Sequence, residues 1–223
     1  AILDWRDEDD FVYGEEDFGR ARGAENAYYQ GLVPPYSCKN KDFEILEELL
    51  LVKGVTHKLY YGKDEDGKIK YALKDFLTVY GEGSVNINTA PEPVLSALFG
   101  EDFKELASKV CAYRRGADGI IGTKDDRWFS IGSYAIDRQD MGLVAVKNLK
   151  DPDWLGNMYG ITNDEYARIK KMISSGDIKL CAKSDIYRAY STGKVRKVMT
   201  EIEAVYKFSE DEDYPRLLFW HEQ

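Results

Sequence analysis

This 223-residue chain is poor in histidine and has no recognisable motif for a catalytic nucleophile. It has two histidines, His57 and His221, and neither lies near a serine or cysteine nucleophile motif. A catalytic triad needs a nucleophile, a base and a residue that orients the base, and no segment supplies these together. Gly81-Glu82-Gly83 lacks the third glycine of a dinucleotide-binding loop. We therefore expect no catalytic and no cofactor-binding residue.

Cysteines are also few, and long apolar runs are missing. Cys38, Cys111 and Cys181 have no metal-ligand spacing and can form at most one disulfide, whose pairing stays open. No segment has the length and apolarity of a membrane helix or signal peptide. The chain starts at Ala1 without Met and is acidic at once. We interpret it as a fragment from which an upstream membrane helix was removed.

Positive charge is in deficit. The chain has 31 Lys and Arg against 40 Asp and Glu, a net charge of −9 and a pI near 4.9. Nucleic-acid binding needs basic side chains gathered along a phosphate track, so this balance opposes it. An acidic surface is better suited to Ca²⁺ or to a basic protein partner.

The middle of the chain has helical periodicity. Apolar spacing predicts helices over 42–52, 89–99, 102–115 and 162–174, and a hairpin over 57–72 with its polar turn at 63–67. Two helices have capping-box spacing at their starts, Thr89 with Glu92 and Thr162 with Glu165. Before the first of these, Ser84–Asn88 predicts a short extended entry.

From about residue 177 the pattern alternates instead. In 197–208, Val198, Ile202 and Tyr206 fall on one side and charged residues on the other, which predicts a half-buried antiparallel strand. Ile178–Ala182, Ile186–Tyr190 and Leu217–Trp220 are expected to be its companions, and 209–214 an acidic turn.

Several segments follow one another in an order known from a protein family. They are Leu3–Asp9, Gly23–Tyr29, Pro35-Tyr36 with Asn40, Glu47–Leu49, Val52–Gly54, and Leu77–Tyr80 leading into Val85–Ala90. Together they resemble the K-type minor pseudopilin of the bacterial type II secretion system, and the resemblance covers nearly the whole chain.

The resemblance implies an α+β fold. A pseudopilin-like antiparallel sheet would pack on an N-terminal helix, largely truncated here, and carry a large inserted all-α domain with a helix-hairpin-helix or SAM-like segment. The expected parts are an acidic segment at 1–30, the inserted domain at 31–175 and β-rich body strands at 176–223. An N-terminal helix absent from this sequence would anchor the protein in the bacterial inner membrane, with this chain in the periplasm.

The resemblance also implies a non-enzymatic function. Family members cap the tip of a short periplasmic pseudopilus with two other minor pseudopilins, of the I and J types, and they bind Ca²⁺. We therefore expect a tip component that initiates or caps the pseudopilus and supports protein export, with secreted substrates as a further class of partner and no nucleic acid.

The residues themselves offer two calcium candidates. Gly116–Asp126 places Asp118, Asp125 and Asp126 around turn-forming glycines that let backbone carbonyls converge, and it resembles a calcium loop of major pseudopilins. It is not an EF-hand, and the competing interpretation is a plain Asp-Gly turn. The second candidate joins Asp7 and Asp9 with Glu25, beside Asp10, where a solvated acidic surface is the stronger alternative.

Two other functions compete with the pseudopilin interpretation. The phrase Asn86–Ala90 also occurs in helix-hairpin-helix DNA-binding proteins of the competence type, but Glu101 and Asp102 are acidic where phosphate would lie. A secreted calcium-dependent hydrolase is the other, and the missing nucleophile motif opposes it.

Overall fold

The chain forms two compact units, Ala1–Tyr80 and Gly81–Gln223, which are described separately. The structure is a computed structural model, and it describes residues 1–13, 23–62, 71–131, 144–146, 160–209 and 211–222. The three parts expected from the sequence, 1–30, 31–175 and 176–223, do not coincide with these two units. The insertion of one domain into another stays a prediction. No helix among the described residues combines the length and apolarity that a membrane crossing requires.

The first unit is built around aromatic packing. Trp5 and Tyr29 meet edge to face with 5.1 Å between ring centroids, and Tyr36 packs against both. Ala24, Cys38 and Val52 complete this buried cluster. Short helices surround it, namely α1 (Asn26–Gln30), α2 (His57–Tyr61) and 3₁₀ turns at Leu46–Leu51 and Leu73–Asp75.

Two predictions for this unit were wrong in type. The helix expected over 42–52 is a 3₁₀ helix at Leu46–Leu51, which starts where Glu48 accepts the backbone N–H groups of Glu44 and Ile45. The hairpin expected over 57–72 begins as helix α2 instead. Thr56 caps that helix by accepting from the Leu59 N–H at 3.1 Å, and Gly62 ends it at φ +68°. The predicted hairpin turn at 63–67 lies outside the described residues.

The second unit contains a pair of packed helices, α3 (Glu92–Phe99) and α4 (Lys104–Arg114). Gly100 at φ +90° and a 3₁₀ turn at Glu101–Phe103 connect them. Both predicted helices are confirmed, but the predicted capping box at Thr89 is wrong. Pro91 occupies the N-cap position, and the Glu92 carboxylate accepts the Ser108 hydroxyl on α4 instead of the Thr89 amide.

Helix α5 (Asn163–Ser175) agrees with its prediction in detail. Thr162 and Glu165 form the reciprocal capping box, and Gly176 ends the helix in the left-handed region. Glu165 also forms an ion pair with Lys109 of α4 at 2.7 Å. The helices share one buried core, which consists of Ile87, Leu95, Phe99, Leu106, Val110, Phe129 and Ile169 with smaller neighbours.

Short parallel strand pairs border this core. β1 (Val85–Asn86), the predicted extended entry, pairs with β4 (Leu180–Cys181), and β2 (Phe129–Ile131) pairs with β3 (Val144–Val146). The sequence placed the 178–182 segment beside the long C-terminal strand, and that prediction is wrong. The backbone of this segment pairs with β1, so the segment is not part of the three-stranded antiparallel sheet.

The antiparallel sheet has three strands in the order β5 (Ile186–Val195), β6 (Val198–Lys207) and β7 (Arg216–Glu222). The predicted strand is therefore confirmed as the central one, and two of its expected companions flank it. β5 pairs with all of β6, whereas β7 pairs only from Ile202 onward, with a register shift at Val205. Ala204 and Val205, successive residues of this central strand, are both buried.

The two faces of this sheet differ in chemistry. One face is polar and contains the Arg188–Glu203 ion pair at 3.3 Å. Strand pairing puts mainly apolar side chains on the other face, namely Tyr187, Ala189, Val195, Val198, Ile202, Ala204, Tyr206, Leu217 and Trp220. Six of these (Tyr187, Ala189, Val195, Val198, Leu217 and Trp220) are exposed, so most of this apolar face is uncovered.

Side chains hold the Asn86–Ala90 segment in place. The Asn88 amide donates to the carbonyls of Phe129 (2.6 Å) and Ala182 (2.8 Å), and its oxygen accepts from the Phe129 N–H. Arg114, only 8 % exposed, donates to the carbonyls of Ile87 and Ala90 at 2.7 and 2.8 Å. Three segments distant in sequence are thereby joined to α4.

Asn88→Ala should lower the free energy of unfolding by about 3 kcal/mol, because it removes three hydrogen bonds and leaves partly buried backbone groups unpaired. Urea denaturation followed by circular dichroism measures this loss. Asn163→Ala, at the exposed start of α5, is the matched control and should change stability by less than about 0.5 kcal/mol. Equal effects of the two variants would contradict a structural role for Asn88.

Candidate cation site

The first residues of the chain fold into a tight turn that presents carboxylates. The N–H of Trp5 donates to the Ala1 carbonyl, and the N–H of Asp7 donates to the Leu3 carbonyl, each at 3.0 Å. Trp5 itself is buried in the aromatic cluster and fixes this turn, and its carbonyl accepts the Asn40 N–H. The backbone that carries the acidic residues on either side of Trp5 is therefore held in place by packing and hydrogen bonds.

Asp7, Asp9 and Glu25 come together at this turn. Each offers a carboxylate oxygen, and these oxygens all lie within 4.8 Å of one another. Across the described ranges, no other group of three Asp, Glu, His or Cys residues meets this condition. Asp7 and Asp9 are exposed, whereas Glu25 is only 3 % exposed. The site thus has an open side and a buried side.

The buried side contains oxygens that lack a partner. Glu25 Oε1 has no hydrogen-bond partner, and the same is true of Oδ1 of Asp4, a residue with 0 % exposure. The other Asp4 oxygen accepts the Ala24 N–H at 2.6 Å. Buried carboxylate oxygens without a donor are costly, and a bound cation or a proton would offset that cost.

A glycine permits this close approach. A Cβ atom at position 23 would overlap the Asp4 carboxylate, so only glycine fits at this position. The nearby cations are already engaged elsewhere: Lys53 donates to the Gly23 carbonyl at 2.9 Å, and Arg6 pairs with Asp42. Neither neutralises Glu25.

The electrostatics agree with this geometry. Burial raises the pKa of Glu25 to about 7, with further contributions from the charges of Asp4, Asp7 and Asp10. Burial and the neighbouring charge of Asp9 also raise the pKa of Asp7. Like charges are gathered here, and among the described residues the N-terminal ammonium of Ala1 pairs only with Asp4, at 3.6 Å. A divalent ion would therefore find preformed hard oxygen ligands at this site.

The loop predicted as the first calcium candidate has a different arrangement. Asp125 accepts the N–H groups of Ala117 (2.5 Å) and Asp118 (3.0 Å) and the Thr123 hydroxyl (2.7 Å). The carboxylates of Asp118 and Asp126 accept the N–H groups of Ile120 and Gly122. Each acid therefore closes its own turn, but Oδ1 of the buried Asp126 has no hydrogen-bond partner. The Thr123 hydroxyl lowers the pKa of Asp125 to about 2. Ion binding by this loop stays a prediction.

Sequence reasoning named Asp7, Asp9 and Glu25 together, and the structure does bring them together. It missed Asp4, whose burial depends on Trp5 and on the glycine at 23 rather than on any spacing rule. The histidines engage aromatic rings: His57 stacks on Tyr61 and His221 on Phe219. All three cysteines are free thiols, and burial raises the pKa of Cys38 to about 11.

The segment that carries this cluster matches a known family. Residues 1–62 match the family model described as type II secretion system (T2SS), protein K. Over these residues the chain is similar to the protein K family. The resemblance predicted from sequence is thus confirmed, and the matched segment includes Asp4, Asp7, Asp9 and Glu25.

Curated relatives agree with the family model. The chain is 42% identical over 60 residues to the type II secretion system protein K of Aeromonas hydrophila, covering 27% of this chain and 16% of the relative. It is 29% identical over 111 residues to a putative type II secretion system protein K of Escherichia coli strain K12, covering 48% and 32%. The chain therefore aligns with less than a third of either relative's length.

A solved structure extends the likeness to the whole chain. The crystal structure of the GspK–GspI–GspJ complex from the type 2 secretion system of enterotoxigenic Escherichia coli contains a chain with a similar fold. The TM-score is 0.54 at 15% sequence identity, covering 100% of this chain and 61% of that one. This likeness confirms the mixed fold of helices and an antiparallel sheet.

Glu25 should make stability depend on pH when no metal is present. Its pKa of about 7 lies above the ordinary 4.5, so ionisation favours the unfolded chain and stability falls as pH rises through that interval. In chelator, Glu25→Gln should gain about 3 kcal/mol over wild type between pH 4 and pH 8. Urea denaturation at both pH values measures this gain. Glu47→Gln, an exposed control, should show none, and parallel pH profiles for wild type and Glu25→Gln would refute the assignment.

Proposed function

We propose that this chain is the periplasmic part of a minor pseudopilin that assembles with I-type and J-type minor pseudopilins at the tip of a type II secretion pseudopilus. The match of residues 1–62 to protein K carries this proposal. The fold similarity to a chain of the GspK–GspI–GspJ complex supports the choice of partners. The protein would initiate or cap the pseudopilus, support protein export and have no enzymatic activity.

The proposed architecture is a pseudopilin body with an inserted domain. Residues 176–223 would be body strands, and 1–30 the segment after the membrane helix. Residues 31–175 would be the insert, which was predicted to be all-α but also contains the short strands β1, β2 and β3. The packed pair α3 and α4, with its short connection at Gly100, supports a helix-hairpin-helix segment inside the insert. The bulk of such an insert would prevent further subunits from stacking above it, as expected for a tip.

The apolar sheet face offers a place for the proposed N-terminal helix. Tyr187, Leu217 and Trp220 are each about half exposed, which is costly for a face that stays in water. A cavity of about 620 Å³ lies on β5 and β6, bordered by Tyr187, Tyr206 and Phe208. An apolar helix that anchors the protein in the inner membrane would cover this face after leaving the bilayer.

Calcium would have a structural role in this protein. Ca²⁺ takes six to eight oxygen ligands in flexible geometry, and Asp7, Asp9 and Glu25 supply carboxylates with buried unpartnered oxygens beside them. Asp118, Asp125 and Asp126 form the second proposed site. There, backbone N–H groups already occupy carboxylate oxygens, so the first site has the stronger support.

DNA binding by α3 and α4 has less support. The connection between these helices contains Glu101 and Asp102, both exposed, at the place where amides and lysines would face a phosphate. The repulsion of phosphate by these acids, within a chain of net charge −9, opposes this alternative.

The function is tested by assembly. The full-length protein that contains this chain, co-expressed with the I-type and J-type minor pseudopilins of the same bacterium, should purify with both through a tag on one member. Size-exclusion chromatography with light scattering should report a single ternary species. Trp220→Glu places a charge on the apolar sheet face and should reduce recovery of the assembled protein, whereas Tyr214→Glu, at an exposed position before β7, should not. Separate elution of the wild-type proteins would contradict the proposal.

Calcium should stabilise the wild-type chain. With 10 mM calcium and a dissociation constant of about 10⁻⁴ M, typical of extracellular modules, the gain should be about 2.7 kcal/mol relative to chelator. Thermal unfolding with and without calcium measures it. Asp7→Asn with Asp9→Asn should abolish this gain.

Asp118→Asn is the matched control for the other loop and should keep the gain. The substitution of Asp125 is unsuited to this purpose, because the loop would lose three hydrogen bonds even in chelator. Loss of the calcium-dependent stabilisation only in Asp118→Asn would place the calcium site in the 116–126 loop instead. Equal melting temperatures of the wild-type chain in calcium and in chelator would contradict calcium binding.

A further inference from the structure

The β5–β6 hairpin extends beyond the third strand. β7 pairs with β6 from Ile202 onward, so residues 192–201 form a two-stranded ribbon with no third strand among the described residues. Val195 pairs with Val198 at its end, and Arg196 and Lys197 form the turn. We refer to residues 194–199 as the hairpin tip.

The hairpin tip is basic in an acidic protein. Lys194, Arg196 and Lys197 are all exposed, and no carboxylate lies among residues 194–199. The ion pairs of the described sheet join Arg188 to Glu203 and Lys207 to Asp185, and neither involves the tip. Three positive charges are therefore available on a chain whose net charge is −9.

The turn adopts an unfavourable backbone conformation to present these charges. Arg196 has φ +57°, in the left-handed region that suits glycine or asparagine, and it is one of two non-glycine residues with positive φ in the described ranges. Two-residue hairpin turns strongly prefer sequences such as Asn-Gly at such positions. A residue that breaks a local rule without a compensating contact points to function rather than folding.

Apolar side chains accompany the charges. Val195, Val198 and Met199 are 73%, 69% and 55% exposed. Val195 and Val198 continue the apolar sheet face to the end of the ribbon, as the pairing register shows. A surface with apolar side chains at its centre and cations around them is suited to a protein groove with an acidic rim.

We infer that the hairpin tip is a docking element that inserts into an acidic, partly apolar groove on a neighbouring minor pseudopilin. This inference rests on the proposed function, because that function supplies the neighbour. A protein groove is favoured over an anionic lipid surface, since a net charge of −9 opposes approach to such a surface. The tip supplies Lys194, Arg196 and Lys197 for the rim and Val195 and Val198 for the groove.

The test compares two triple variants that lose the same charge. Lys194→Gln, Arg196→Gly and Lys197→Gln neutralise the tip, and glycine at 196 keeps the turn because it tolerates positive φ. Lys41→Gln, Lys171→Gln and Lys179→Gln neutralise three exposed lysines elsewhere. Interferometry with the I-type and J-type minor pseudopilins, at 50 and 300 mM NaCl, gives the affinity of each variant.

We expect the tip variant to bind one partner at least about tenfold more weakly at 50 mM NaCl and to lose most of the salt dependence of wild type. Its thermal stability should equal or exceed that of wild type, because the strained arginine is replaced. The control triple variant should bind like wild type.

Each other outcome has a defined meaning. Equal affinities of wild type and tip variant would overturn the inference while leaving the proposed function intact. No binding by wild type would overturn both. Binding of wild type, but not the tip variant, to phosphatidylglycerol vesicles, with unchanged affinity for the partners, would assign the tip to a membrane instead. Tip-dependent self-association in size-exclusion chromatography would assign it to a second copy.

Discussion

The second unit depends on side chains that satisfy the backbone of the Asn86–Ala90 segment. This segment runs between β1 and α3 without regular structure, so its carbonyls need partners from elsewhere. Arg114 provides them from the end of α4, where its buried guanidinium donates to two backbone carbonyls. Asn88 extends the same connection to β2 and to the segment after β4. One buried cation and one amide thereby hold together helices and strands that are distant in sequence.

The parts of the fold that were predictable are those with local causes. Helix α5 has its apolar stripe, its capping box and its terminal glycine within sixteen residues, and the alternation of β6 is equally local. The failures have non-local causes. Glu92 bonds Ser108 on another helix instead of Thr89, and Cys181 pairs with Asn86, 95 positions earlier. The α2 helix was missed because a Thr56 cap and a left-handed Gly62 also suit a turn between strands.

The candidate cation site shows the same limit. The residues Asp7, Asp9 and Glu25 were recognisable as acids near one another, but the sequence favoured the loop at 116–126 because of its glycines. In the structure, the carboxylates of that loop accept backbone N–H groups within the loop's own turns. That loop keeps one unpartnered oxygen, Oδ1 of the buried Asp126, whereas the earlier cluster keeps two, on Asp4 and Glu25 beside the Trp5 aromatic cluster. The earlier group is also the one whose carboxylates converge, because Asp7, Asp9 and Glu25 place oxygens within 4.8 Å of one another. That convergence depends on tertiary packing.

The family match, the mixed fold, the uncovered apolar sheet face and the acidic cluster are consistent with a structural protein that acts by assembly. The measurement that tests this most directly is export in the bacterium from which the chain comes. Deletion of its gene should trap type II exoproteins in the periplasm, and the full-length protein should restore their release into the medium. Unchanged release after the deletion, in cells where loss of the pseudopilus blocks it, would contradict the account.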